Sequence, residues 1–377
     1  AVLLSTATQI DPLTLELAWN EVVRHHDALR ASFSFTGEKW KQDIAGDSSA
    51  LIEVQHHDLA HLGRIELDNA IDDIANSMNK EIDISDGKLA RVAYLDFGQS
   101  RTPQMLAVIH HLVVDAVSWW ILLQDLDTVY DQLSGEREVH LPLKSSSIHQ
   151  WSTQLHRYAE LTRVQESAEF WCSSESPGRV AVDFEGGDNT RSSARSVTIE
   201  LDRSYTTSLV RDVPAAFRVQ VPEVILAAFR RCTEVSSAAG IRVDIEGHGR
   251  EEIAAGIDLL RTVGWFTSIY PVDLTHDSDN IPERTLAATK EQLRSVPARG
   301  LDYGVLRYLH PDAGMRDRLS NQQPADVLFN YLGHWDQTLA SSSRFTFARP
   351  IMAVRDANSI RDYVLEIDAV IFKDVLR

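Results

Sequence analysis

Cysteine is scarce in this chain: Cys172 and Cys232 are the only two in 377 residues. Two cysteines support neither a disulfide framework nor a cysteine-based zinc site. We expect both to be buried, because a free cysteine behaves as a small apolar side chain.

Long apolar runs are missing as well. A membrane-spanning helix needs about 18 or more consecutive apolar residues, and the chain contains no such run. The first residues, AVLLSTATQI, lack the basic start and the small-residue cleavage pattern of a signal peptide. We therefore expect a soluble, cytoplasmic protein without a membrane partner.

Positive charge is in short supply. The chain has 37 Lys and Arg against 55 Asp and Glu, which gives a formal net charge of −18. Proteins that bind nucleic acid use clustered Lys and Arg to displace counterions from the phosphates. The charge balance therefore argues against a nucleic-acid partner.

The chain does contain alternating helix and strand signals. Its length exceeds that of one usual hydrophobic core, so we expect two domains or lobes. Apolar periodicity predicts helices at 12–29, about 145–172, 222–232 and 282–296, and strands at 31–35, 89–97, 105–111, 196–202, 241–247, 327–333 and 363–372. Residues 89–111 read as a hairpin. The pattern indicates a mixed α/β fold in two similar halves.

A double histidine stands in the stretch IHHLVVDAVSWW, residues 109–120. In a strand, His111 would share a face with Met105 and Ala107, and His110 would point the other way. Asp115 to Ser118 can cap the following helix, and a histidine beside a helix start can exchange protons near neutral pH. On these residues alone, catalysis and a structural role are equally good interpretations. The pairs at 25–26 and 56–57 are better explained by structure or solvent.

A second group of motifs lies in the C-terminal half. EGHGREE follows a predicted strand in which Glu246 shares a face with Asp244, so Glu246 stands at the strand end as a candidate general acid or base. Three further glycine-containing motifs follow: RTVGWFTSIYPV at 261–272, VPARGLDYG at 296–304 and FNYLGHWD at 329–336. Each alone could be a turn between strands.

Together, these motifs resemble the epimerization domain of nonribosomal peptide synthetases, a branch of the condensation-domain superfamily. The resemblance runs from about Trp19, in EVVRHHDALRASF, to Ile371. The chain begins with Ala and stops after a predicted strand, so we expect a piece of a longer polypeptide. Relative to the family, an opening motif and a last strand and helix are missing.

The resemblance implies a fold and a reaction. The fold would be two chloramphenicol-acetyltransferase-like lobes in a V-shaped pseudo-dimer with a central tunnel, residues 1–175 carrying HHxxxD and residues 176–377 carrying EGHGRE and FNYLG. The reaction would invert the α-carbon, from L to D, of an aminoacyl or peptidyl thioester on the 4′-phosphopantetheine arm of a carrier. We expect no metal site and no bound cofactor. The partners would be a peptidyl carrier (thiolation) domain and the adjacent adenylation and condensation domains.

The resemblance also implies roles for individual residues. His111 and Glu246 would transfer the proton on opposite sides of the carbon, and the direction of reaction decides which acts first as base. Backbone NH groups after Asp115, together with side chains of FNYLG, would stabilise the thioester oxygen. Asp115 would organise its loop through an ion pair with Arg30. The supporting residues are Asp115, Asn330, Tyr331, Arg261, Arg30 and Ser118.

Two alternatives share the HHxxxD motif. A condensation domain would form an amide between two carrier-bound substrates, although such domains generally lack the glutamate motif at residue 246. An inactive domain that only docks a carrier is the other alternative, although it would have no chemical reason to keep both His111 and Glu246.

Overall fold

Two compact units make up the chain. The computed structural model describes residues 1–46, 51–99, 101–173, 178–182, 184, 186–233, 240–275, 281–335, 344–351 and 358–377. The first unit comprises the described residues of Ala1–Trp151, Gly256–Phe266 and Asp336–Arg355, and the second those of Ser152–Ala255, Thr267–Trp335 and Asp356–Arg377. The predicted boundary between residues 175 and 176 lies outside the described residues.

The first unit is built on a five-stranded sheet. Its elements are β1 (Val2–Thr6), α1 (Pro12–His25), β2 (Ala31–Phe35), β3 (Trp40–Ile44), β4 (Val54–Asp58), α2 (Arg64–Lys80), β5 (Ala90–Asp96), β6 (Gln104–Ile109), α3 (Ala116–Ser134) and β10 (Phe345–Pro350). The strand order of the sheet is β10-β1-β6-β5-β4. Its strands pair antiparallel except for β4 and β5, which are parallel. A separate two-stranded hairpin is formed by β2 and β3.

Alternation along β6 divides the core of the first unit. Leu106 and Val108 pack with Ile71 of α2 on one face of the sheet. Met105, on the other face, accepts a hydrogen bond from Trp19 Nε1 of α1 at 3.3 Å. The predicted alternation is therefore confirmed as far as Ile109, where the strand ends.

The second unit is built on a second five-stranded sheet. Its elements are α4 (Ile148–Ala159, beginning in the first unit), α5 (Thr162–Cys172), α6 (Arg203–Thr207), α7 (Val213–Phe217), α8 (Val221–Thr233), β7 (Ile241–Gly247), β8 (Ser268–Leu274), α9 (Pro282–Ser295), α10 (Leu301–Leu309), α11 (Ala313–Ser320), β9 (Val327–His334), β11 (Leu365–Phe372) and β12 (Val375–Leu376). The strand order is β12-β11-β9-β7-β8. The three inner strands β11, β9 and β7 are parallel, while β8 and β12 pair antiparallel at the two edges.

The mixed α/β class is confirmed, and so is the antiparallel pairing predicted for residues 89–111. Three predictions are wrong. Residues 196–202 form no strand, because Val197 and Ile199 are exposed and the segment has no ladder partner in the described part of the chain. The helix predicted over 145–172 is two helices, α4 and α5, with a break after Ala159.

The third wrong prediction concerns the cysteines. Cys172 is half-buried at the end of α5, where its thiol lies 3.8 Å from Met315 Sδ. Cys232 is exposed, because it lies on the outer side of α8 beside the buried Thr233. Among the described helices, none is both long and apolar enough to cross a bilayer.

Candidate functional site

His111 lies in a short turn and not in a strand. After β6 ends at Ile109, His111–Val113 form one turn of 3₁₀ helix, and α3 begins at Ala116. The alternation argument therefore does not apply to His111. Its side chain is exposed and meets the ring of Trp265 edge-on, with 5.1 Å between ring centroids. Histidine in this position is accessible to a substrate.

His110 is held in the same turn by a local bond. Its Nδ1 accepts a hydrogen bond from the backbone NH of Leu112 at 3.2 Å. Burial, followed by the neighbouring His111, lowers the pKa of His110. A neutral imidazole that accepts a backbone bond suits the structural role expected for this residue.

Asp115 caps α3, as predicted from the sequence. The side chain is only 4% exposed. Its Oδ1 accepts from the NH of Ser118 at 2.7 Å, and its Oδ2 accepts from the NH of Phe266 at 3.3 Å. Ser118 Oγ in turn donates to the carbonyl of Gly264 at 2.9 Å and accepts from the NH of Gly264 at 3.1 Å. The HHxxxD and RTVGWF motifs are thus joined through these hydrogen bonds.

Arg261 fastens the same segment to the middle of α3. Its guanidinium contacts the buried carboxylate of Asp125 and donates to Gln124 Oε1 at 3.2 Å. Asp125 also lies 2.8 Å from His26 Nε2, so this carboxylate holds both the RTVGWF motif and the end of α1. Arg261 supports the segment from a distance and does not share the turn of His111.

Arg30 is buried in the turn after α1. Its guanidinium donates to the carbonyl oxygens of Val23 at 2.9 Å and Ala45 at 3.0 Å, and it pairs with Asp27 at 3.0 Å. The ion pair predicted between Arg30 and Asp115 stays a prediction.

One cluster in the first unit has metal-ligating atoms close together. Donor atoms of His25, His26 and Asp125 lie within 4.8 Å of one another. Asp125 already pairs with Arg261 and His26, however, and burial lowers the pKa of His25. A dication would have to displace these partners beside a guanidinium, so the cluster is better explained as a structural bridge.

Glu246 lies one residue before the end of β7, in the second unit. Val243 and Ile245 are buried, whereas Asp244 and Glu246 are half-buried on the opposite face, as predicted. Asp244 accepts from Tyr363 Oη at 2.9 Å. Burial and then Asp244 raise the pKa of Tyr363, with a smaller contribution from Glu246. Glu246 therefore belongs to a polar sheet face.

The register of β9 separates the two candidates in FNYLG. Asp244 pairs with Leu328 in the parallel ladder, so the next step of the register sets Asn330 beside Glu246 on the same face. Tyr331 projects from the other face, where it lines a cavity with Ile245 and Phe329. Burial raises the pKa of Tyr331, which keeps its phenol protonated. Asn330 is the better placed of the two for work beside Glu246.

Sequence reasoning missed Tyr363 and Asp368 on this polar face. Tyr363 bonds Asp244, and Asp368 pairs in register with Asn330 on β11. The available signal was the alternation in YVLEIDAVIF, which puts Asp368 on the same face as Glu366. Nothing in the sequence said which strand would be the neighbour of β9.

The structure therefore divides the predicted residues into two groups. His111, Asp115, Ser118, Arg30 and Arg261 lie in the first unit, and Glu246, Asn330 and Tyr331 in the second. Within each group the chemistry is that of proton transfer next to polar support: an accessible imidazole beside a capped helix, and a carboxylate beside an amide.

Comparisons with known proteins identify the family. The family model for the condensation domain matches residues 1–376. The chain is 37% identical over 376 residues to a linear gramicidin synthase of Brevibacillus parabrevis, which covers 98% of this chain and 7% of that protein. It is 30% identical over 380 residues to bacitracin synthase 3 of Bacillus licheniformis, which covers 100% of this chain and 6% of that protein. The chain belongs to the condensation-domain family, and it spans a small part of these synthases.

Solved structures show the same fold. The epimerization domain from the third module of tyrocidine synthetase B is similar with a TM-score of 0.88 and 29% identity, over 100% of this chain and 84% of that one. The condensation domain from Monacolin K polyketide synthase is similar with a TM-score of 0.73 and 14% identity, over 100% of this chain and 84% of that one. The second likeness concerns the fold alone.

Replacing Asp115 with alanine is expected to destabilise the first unit by about 2–4 kcal/mol, because a helix cap is lost and the buried NH groups of Ser118 and Phe266 lose their acceptor. Chemical denaturation measures this change. The matched control is Asp11→Ala, which removes an exposed cap from α1 and should cost only about 1 kcal/mol. A fully stable but inactive Asp115→Ala protein would mean that Asp115 acts in the chemistry.

Proposed function

We propose that this domain epimerizes the α-carbon of an aminoacyl or peptidyl thioester, from L to D, on the phosphopantetheine arm of a peptidyl carrier domain. The observation that carries the proposal is the likeness to a solved epimerization domain across the whole chain, together with a carboxylate at residue 246 where β7 ends. The domain would be a cofactor-independent isomerase in the cytoplasm. Its neighbours would be the adenylation and condensation domains of a synthetase.

The chemistry requires two proton-transfer groups. A base removes the α-proton, and the electron pair of the broken C–H bond moves into the thioester carbonyl to form an enolate. A second group then delivers a proton to the other face of the carbon, and the carbonyl is restored. We assign these two roles to Glu246 and His111, both of which can change protonation near neutral pH in a suitable environment.

The enolate oxygen needs hydrogen-bond donors as its charge develops, and such donors contribute about 2.7–4 kcal/mol each in other enzymes. We favour Asn330 for this role, because its amide shares the sheet face of Glu246. Backbone NH groups at the start of α3 are the candidates in the first unit. Tyr331 faces away from Glu246 and is better suited to shaping the neighbouring cavity.

The test is an isotope experiment. A carrier domain loaded with an L-aminoacyl pantetheine thioester is incubated with the protein in D₂O, and the amino acid is then released. The α-carbon is expected to gain deuterium while the pool moves toward a mixture of L and D. Mass spectrometry reads the deuterium, and chiral chromatography reads the ratio of enantiomers.

The two alternatives give different results. Condensation would transfer one acyl group to a second loaded carrier and shift the mass of that carrier, without deuterium at the α-carbon. A domain that only docks carriers would bind the loaded carrier and give neither product. Either result, with a folded protein and a verified substrate, would overturn epimerization.

A further inference from the structure

A cavity of about 510 Å³ lies in the second unit at the end of β7, and Glu246 borders it. Ligand cavities in proteins span about 300–1,000 Å³, so this space can hold a large amino-acid side chain. Its walls are mainly apolar and aromatic, and we name it the Tyr270 cavity after its central ring. The wall residues are Leu226, Ile245, Tyr270, Leu293, Val296 and Phe329.

The backbone around Tyr270 is shaped for this cavity. Ala298, Arg299 and Gly300 all have positive φ, at 44°, 50° and 89°. A side chain at Gly300 would overlap the ring of Tyr270, so the glycine lets this ring lie flat beneath the chain. Two non-glycine residues in the left-handed region cost of order 1–2 kcal/mol each. Such strain is typical of functional sites, and here it fixes one wall of the cavity.

The polar groups of the Tyr270 cavity are mostly engaged already. Glu251 pairs with His248 at 3.4 Å and with Arg299 at 3.7 Å. Glu223 pairs with Arg294 at 3.1 Å. A charged ligand group would have to compete with these partners, which favours an uncharged ligand.

The remaining chemistry also disfavours an anion. Burial, followed by Glu251, raises the pKa of Tyr270 to about 12, so its phenol stays neutral and can offer one hydrogen bond. The carboxylates of Glu223, Glu246 and Glu251 border the cavity. An acidic side chain entering the cavity would be repelled by them.

We infer that the Tyr270 cavity receives the side chain of the residue whose α-carbon is inverted, and that it selects large, uncharged aliphatic or aromatic side chains. This inference rests on the proposed epimerization. Its direct support is that Glu246, the proposed proton-transfer group, lies at the mouth of an apolar space of the size of such a side chain.

Three substrates on one carrier test the selectivity. L-Phe, L-Ala and L-Glu are loaded as pantetheine thioesters, and initial rates of α-deuterium uptake are compared. Phe is expected to exceed Ala by about 10-fold or more, since one methylene alone changes discrimination in an apolar pocket by about 10–200-fold. Glu is expected to be slower than Ala. Equal rates for the three, or a preference for Glu, would overturn the inference.

A cavity-filling variant localises the effect. Leu293→Trp adds bulk from a half-buried position on α9 that lines the cavity. It is expected to lower the ratio of Phe to Ala rates by about 10-fold, with the Ala rate kept. The matched control is Leu17→Trp on α1, because Leu17 is 58% exposed and lies outside the cavity.

The outcomes separate the two levels of the proposal. An unchanged ratio in Leu293→Trp, with exchange intact, would overturn the cavity inference and leave epimerization standing. Absence of exchange with every substrate would overturn epimerization and the inference together. A lowered ratio in Leu293→Trp but not in Leu17→Trp would support both.

Discussion

Replacing Glu246 with glutamine is expected to lower the rate of inversion by about 10²–10⁴-fold, the usual contribution of a positioned acid or base. Glutamine keeps the shape of the side chain at the end of β7 but cannot accept the α-proton. The fold should remain, because Glu246 is half-buried at a strand end and not part of the core. The rate of D formation from an L-thioester measures the effect, and a thermal melt checks the fold.

The matched control for this variant is Asp244→Asn. Asp244 lies two residues earlier on the same strand and face, and an asparagine oxygen can still accept the hydrogen bond from Tyr363. We expect this variant to stay within a few-fold of the wild-type rate. Wild-type turnover in Glu246→Gln, or equal losses in both variants, would contradict the role given to Glu246.

Local patterns predicted the elements around Glu246 well. The alternation in IRVDIEG indicated both the strand β7 and the half-buried placement of Asp244 and Glu246. Parallel strands such as β7 and β9 lie far apart in sequence, however, and no local signal sets their register. The neighbourhood of Glu246 and Asn330 therefore came from the ladder and not from the motifs.

The turn at His111 shows a different limit. The run VIHHLVV is apolar enough to continue a strand, so periodicity extended β6 by two residues or more. The cap at Asp115 and the bonds from Gly264 and Phe266 draw the chain into a turn instead. Because these partners lie about 150 residues away, their effect was hidden from a local pattern.

The Tyr270 cavity was hidden for the same reason. VPARGLDYG indicated only a turn with glycine, a common structure. Its three consecutive residues with positive φ, and the ring that they cover, become visible only when β8 is placed next to this segment. Motif order was enough to predict the family, whereas the shape of the cavity depended on packing between distant segments.

Replacing His111 with alanine is expected to reduce inversion by about 10²–10⁴-fold as well, with little loss of stability because the side chain is exposed. His110→Ala is the matched control. It removes the neighbouring imidazole and one local bond to Leu112, so a small loss of stability and a rate within a few-fold of wild type are expected. Wild-type turnover in His111→Ala would remove His111 from the mechanism.

Isotope exchange can also decide which group serves which enantiomer. If two groups act on opposite faces of the α-carbon, removing one abolishes exchange from the enantiomer whose proton it takes. The other group can still exchange the proton of the opposite enantiomer, with retention of configuration. We therefore expect Glu246→Gln and His111→Ala to lose deuterium uptake from opposite enantiomers when L- and D-thioesters are tested separately in D₂O. Loss of exchange from the same enantiomer in both variants would instead place Glu246 and His111 in a single proton-transfer step, with the second proton delivered by another group.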